Sequence, residues 1–202
     1  GTLTDLKDNP DNTFATMNPL DNYYQGSTFS NGNNTIVTSS GNYTYNTATL
    51  GVSSGKYYCE AKAVNVSGAA ALIGIAGTTS TSSSLYLGSG SDAYSYENSG
   101  AIYNSGNNTN SWGATWTNND IIGVAIDLDN NKLYFSKNGT WQNSGVPTSG
   151  STGTGAISIS TSTTGFYFLA LGDWSGSASI TFSTNFGNGY FGTTAITTNS
   201  GD

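Results

Sequence analysis

Apolar and polar residues alternate in short runs along this chain, broken by turn residues roughly every 8–12 positions. Lys56 to Val64 is the clearest run. Tyr57, Cys59, Ala61 and Ala63 share one parity, and Tyr58, Glu60, Lys62 and Val64 the other. A period of two predicts a strand with one buried and one mixed face. Ala69 to Ala76 is apolar on both parities, as a strand inside a packed sheet is. Ile36 to Thr38, Thr47 to Val52, Ser84 to Leu87, Ala93 to Tyr96 and Ala101 to Asn104 read as further short strands. Asp120 to Asp127 and Lys132 to Lys137 flank an Asp/Asn turn and predict a hairpin. Gly165 to Leu171 and Ser177 to Phe182 are expected to form another pair, joined through Trp174. Ser149 to Thr154 and Ser158 to Thr164 read as a loop beside an edge strand. About a dozen strands at this spacing predict one all-β sandwich or barrel.

Composition narrows the picture. Gly, Ser, Thr and Asn make up just over half of the 202 residues, and all four are poor helix formers. Aromatic residues at 12 % supply a core that a disordered chain would lack. Five Lys, no Arg and twelve acids give a net charge of −7, so nucleic acid is not an expected partner. No run nears the ~18 apolar residues of a membrane span, and the N-terminus lacks signal-peptide features. The chain begins at Gly1, as a processed product or a piece of a longer protein would.

Catalytic chemistry has little to draw on. With no His, neither a Ser-His-Asp nor a Cys-His arrangement can be built, and the commonest zinc ligand is missing. Cys59 lies in a strand-like run and is expected to be a buried, inert thiol. The only glutamates, Glu60 and Glu97, are several strands apart and lack the spacing of a glycosidase pair. Asp127-Leu128-Asp129-Asn130-Asn131 starts like a calcium loop, but Lys132 stands at its sixth position and Asn138 at its twelfth. Turn chemistry accounts for the same residues. No enzyme activity, cofactor or metal is expected.

The run DIIGVAIDLDNNKLYFSKNG, from Asp120 to Gly139, resembles the signature hairpin of the SPRY (B30.2-like) domain. Gly55 to Glu60 resembles the family's early strand, and Ile73 to Ala76 a core strand. Phe166 to Gly172 with Ala178 to Phe182 resembles the closing strand pair, and Asn185 to Gly187 the terminal cap. The match spans roughly residues 35–191. Upstream, NTFATMNPL at 12–20 resembles a lead-in of SPRY-like bacteriophage virion proteins. The animal family's PRY segment is missing. The resemblance implies a concanavalin-like/SPRY bent β-sandwich of two antiparallel sheets over 35–191, with an extended lead-in (1–34) packed on it and a tail (192–202). It also implies a non-catalytic binding or structural module, most simply a phage virion component. Its partners would be other virion proteins or a host-surface protein or glycan, and it could be an oligomer within an assembly. Trp174-Ser175-Gly176 matches a family contact position in the loop before the final long strand.

The residues themselves lead to a similar place. Trp112, Trp116, Trp141 and Trp174 all lie in Gly/Ser/Asn-rich loops. Each is either an inward plug or part of an exposed aromatic platform for sugar rings or a protein interface. Tyr96 and Tyr103 flank the Asn98-Ser99-Gly100 turn and either join that platform or belong to the sheet. A free-standing lectin-like, carbohydrate-binding domain is the alternative to a virion module. Scarce Lys and absent Arg leave few sites for trypsin-like proteases, which suits a virion or extracellular location.

Overall fold

The computed structural model describes residues 14–39, 41, 43–175, 177–187, 190–191 and 194–195. In chain order the strands of the sandwich are β1 (Thr28–Ser30), β2 (Thr35–Val37), β3 (Tyr45–Val52), β4 (Lys56–Asn65), β5 (Ala71–Ala76), β6 (Ala93–Glu97) and β7 (Ile102–Asn104). They continue with β8 (Asn107–Thr109), β9 (Ile121–Asp127), β10 (Lys132–Lys137), β11 (Thr140–Trp141), β12 (Ile157–Ser158), β13 (Tyr167–Asp173) and β14 (Thr181–Asn185). Sheet one has the order β1-β2-β14-β4-β9-β10-β11, with β12 also on β10; sheet two runs β3-β13-β5-β6-β7-β8. Every pairing is antiparallel. The fold is thus the two-sheet antiparallel β-sandwich that the SPRY resemblance implies, where the strand pattern alone left a sandwich or a barrel open. Among the described residues, helix is confined to two 3-10 segments, Gln142–Ser144 and Pro147–Thr152, and no helix is long and apolar enough to cross a membrane.

Alternation fills the space between the sheets. Ile122, Val124 and Ile126 of β9 and Leu133 and Phe135 of β10 face Ile73, Ile75, Leu169 and Leu171 of sheet two. Each such side chain contributes about 1.5–3 kcal/mol by leaving water. A smaller core lies on the other face of sheet two, where Leu87 packs with Tyr45, Leu72, Ala93, Tyr103 and Ala170. Gly74 makes that sheet possible, because a Cβ there would sit 1.9 Å from the Tyr94 carbonyl oxygen.

The predicted β9–β10 hairpin forms with Asp127 opposite Lys132. Its turn is held by Asp127, which accepts the Asn130 backbone N–H at 3.0 Å and the Asn130 side-chain amide at 2.9 Å. Asp127 also pairs with Lys56 at 3.2 Å. Asp129 accepts the Gly55 N–H at 2.9 Å, tying this turn to the one between β3 and β4.

Three local expectations are corrected. β13 and β14 do not pair with each other: β13 lies between β3 and β5, and β14 between β2 and β4. Their connection crosses from one sheet to the other, so the bonding edges of both strands are filled by sequence-distant partners. Ser84 to Leu87 is a loop, because Leu85 and Ser89 bond back to Ser82 and Tyr86 in turns while Leu87 plugs the outer core. Tyr57 is 50 % exposed although its parity is that of the fully buried Ala61 and Ala63. It stands at the strand's outer end, where the sandwich opens. Residues 1–13 of the expected lead-in (1–34) lie outside the described residues.

Near the chain's start, Asn18 N–H bonds to the Thr47 carbonyl at 2.9 Å and Thr49 N–H to the Thr16 carbonyl at 2.8 Å. Met17 thereby bridges to Ala48 on the free side of β3. Asp21 adds a side-chain anchor, accepting the Thr47 N–H and hydroxyl at 2.8 and 2.7 Å.

Candidate functional site

Sheet two ends β13 on Asp173 and turns the chain outward at Trp174. The Trp174 N–H donates to the Ala70 carbonyl at 2.8 Å, which fixes the turn against the residue before β5. Asp173 is buried. It accepts the Ser175 N–H at 3.1 Å and a hydrogen bond from the Thr38 hydroxyl, and burial pushes its carboxyl up to about 6. The loop is therefore built on a carboxylate that burial makes a weaker acid, not on a loose tether.

Trp174 remains 37 % exposed. Its indole stacks on Tyr86 with centroids 4.5 Å apart and planes 8° from parallel, and meets the edge of Tyr103 at 5.2 Å. Tyr86 and Tyr103 meet edge-on at 5.9 Å. Beneath them Tyr103 donates its hydroxyl to Glu97 Oε2 at 3.3 Å, and Ser99 donates to the same oxygen. Burial, and then the Glu97 charge, raise the Tyr103 hydroxyl above its ordinary range, so it stays a donor. The result is an aromatic face with a carboxylate at its base. Such a face offers a flat apolar contact beside hydrogen-bonding groups, which suits a protein anchor or a sugar ring.

The structure brings Trp174, Ser175 and Tyr103 together and puts the other candidates elsewhere. Gly176 lies outside the described residues. Tyr96 and Trp116 are core residues, 0 % and 3 % exposed. The Tyr96 hydroxyl donates to the Ala114 carbonyl, and Trp116 packs against Tyr96 and Phe182. Trp112 is half-buried on Tyr96 and Phe135. Trp141 sits on the outer face of sheet one with Tyr58 and Tyr134, at 6.1 and 6.4 Å. Sequence reading missed Tyr86, Glu97 and Ser99 as site residues. Tyr86 carried the one usable signal, an aromatic ring within a serine-rich run that also read as a strand.

Among the described residues, no three His, Cys, Asp or Glu side chains come together as a metal site. Glu60 is buried on sheet one; its Oε1 accepts the Tyr58 hydroxyl at 2.6 Å, and burial raises its carboxyl.

Comparison with known proteins identifies a SPRY domain model over residues 56–163, which includes Tyr103 and stops short of Trp174. The structure is similar to the crystal structure of the SPRY domain of human HERC1, with a TM-score of 0.60 and 18 % identity. That similarity covers 79 % of this chain and 92 % of the other, and shows a shared fold. No curated protein sequence matches the chain.

Proposed function

The chain belongs to the SPRY family, whose domains are protein-interaction modules, and on that premise we propose that it is a non-catalytic module of a phage virion. It attaches to other virion proteins or to a host surface through the face built on Trp174. The observation carrying this reading is the exposed indole held flat on Tyr86 by a turn with its own buried anchor. An aromatic side chain kept partly in water by a rigid support is the usual form of an interface anchor. The virion assignment draws on the lead-in resemblance at 12–20 and on the scarcity of Lys and Arg.

Electron microscopy of the native assembly, with Trp174→Ala as the variant, tests the reading. Density from a neighbouring protein over Trp174, and loss of attachment in the variant, are expected. An uncovered Trp174 together with unchanged attachment overturns it. A free-standing carbohydrate-binding domain is the second reading, favoured by the partly exposed indole next to Tyr103, whose hydroxyl is bonded to Glu97. A glycan array separates the two, since only the second requires Trp174-dependent glycan retention.

A further inference from the structure

β13 ends on Asp173, next to Trp174, and its other end borders a different feature. A cleft of about 210 Å³ opens between the sheets there, among the end of β3, the start of β4 and the end of β9. It reaches Ile75, Val124 and Tyr167, each at most 3 % exposed, while Leu50 and Tyr57 at its mouth are 47 % and 50 % exposed. Protein interiors pack as densely as organic crystals and seldom leave so much room among apolar side chains. An apolar cavity of about 150 Å³ takes up benzene, so this one accommodates a group somewhat larger than a single ring.

The lining defines the chemistry. Among the described residues, no charged, amide, Ser or Thr side chain contributes to it. Tyr58 turns its ring to the outer face of sheet one, where its hydroxyl donates to Glu60 at 2.6 Å, and Tyr167 donates its hydroxyl to the Ser160 carbonyl at 3.0 Å. The remaining hydroxyl is that of Tyr57, at the mouth. Cys59 forms part of the wall, and burial pushes its thiol up to about 12, so the wall is neutral. A carboxylate or phosphate would exchange its hydration for the Tyr57 hydroxyl alone, and would approach a chain of net charge −7.

We propose that this cleft is a binding site for a neutral, largely apolar small molecule, with a ring or short alkyl chain inside and one polar head at Tyr57. It stands apart from the Trp174 face in position and in chemistry.

The probe is 1-hexanol, with hexanoate as its charged counterpart, added to the whole chain. Hexanol is expected to raise the melting temperature saturably and to slow alkylation of Cys59, the chain's sole thiol, by about tenfold at roughly ten times its Kd. Hexanoate is expected to do neither. Val124→Phe fills the cleft and abolishes both effects; should it fail to fold, Cys59→Leu narrows the same space and removes the melting shift. Trp174→Ala retains both effects, so this test and that of the attachment face fail separately. An unmoved melting temperature with unprotected Cys59, equal binding of hexanoate, or full hexanol binding by the filled variant overturns the proposal.

Discussion

The Asp173 carboxylate accepts the Ser175 N–H at 3.1 Å, and this bond pins the turn that carries Trp174 between them. Burial raises the same carboxyl from 3.8 to about 6. The folded chain therefore binds this proton more tightly than the unfolded chain does. Between about pH 4 and pH 6 its contribution makes stability fall as pH rises, by at most about 3 kcal/mol at ~1.4 per unit. Asp173→Asn retains an acceptor for Ser175 and cannot ionise. It is expected to be more stable than the wild type at pH 7, with the gap closing toward pH 4. Thermal melts across that range check this, and a pH-independent gap contradicts it.

Trp116 and Trp174 differ in cost. Trp116→Ala opens the core between Tyr96 and Phe182 and is expected to lose about 3–5 kcal/mol. Trp174→Ala forfeits one stacked and one edge-on contact and should lose only about 1 kcal/mol. Denaturant titration of the two variants gives the comparison; equal losses would mean that Trp174 is a structural plug.

Gly74→Ala adds one methyl group at the closest approach of β5 to β6. With the Tyr94 carbonyl only 1.9 Å from the new Cβ, the strands must separate. A loss of about 3 kcal/mol or more is expected, read as poor soluble yield or a collapsed melting temperature. A melting temperature within a degree or so of wild type would show that the sheet yields at little cost.

Calcium is expected to leave the β9–β10 turn unmoved. Asp127 is engaged by Asn130 and Lys56, and Asp129 by Gly55. Melts in millimolar calcium and in EDTA should superimpose. A calcium-dependent rise that Asp127→Asn abolishes would show instead that the turn is an ion site.

Much of this fold is legible from local pattern. The β9–β10 hairpin announces itself because Ile122, Val124 and Ile126 alternate and an Asp/Asn turn follows, all within one stretch of chain. β8 does not, since Asn107–Thr109 carries no apolar periodicity and is a strand only because the edge of β7 offers it bonds. The separation of β13 from β14 is invisible for the same reason, as their partners come from β2 to β5. At the site, the lone tryptophan between strands marked the loop. Trp116 and Trp174 sit in similar local sequence, yet one is inserted beside Phe182 and the other stacked outside on Tyr86. Only long-range packing distinguishes them.

Sheet two has two raw edges, and the chain treats them differently. On one, residues 16–18 bond to Thr47 and Thr49 of β3, so a neighbouring molecule finds that stretch already taken. On the other, β8 offers only exposed Asn and Thr side chains. Flat apolar edges are what let sandwich proteins zip into fibres when crowded. This chain's net charge of −7 repels copies of itself at long range, although only 8 % of its residues are charged. At close range, stacking is opposed by a segment of the same chain at one border and by polar side chains at the other.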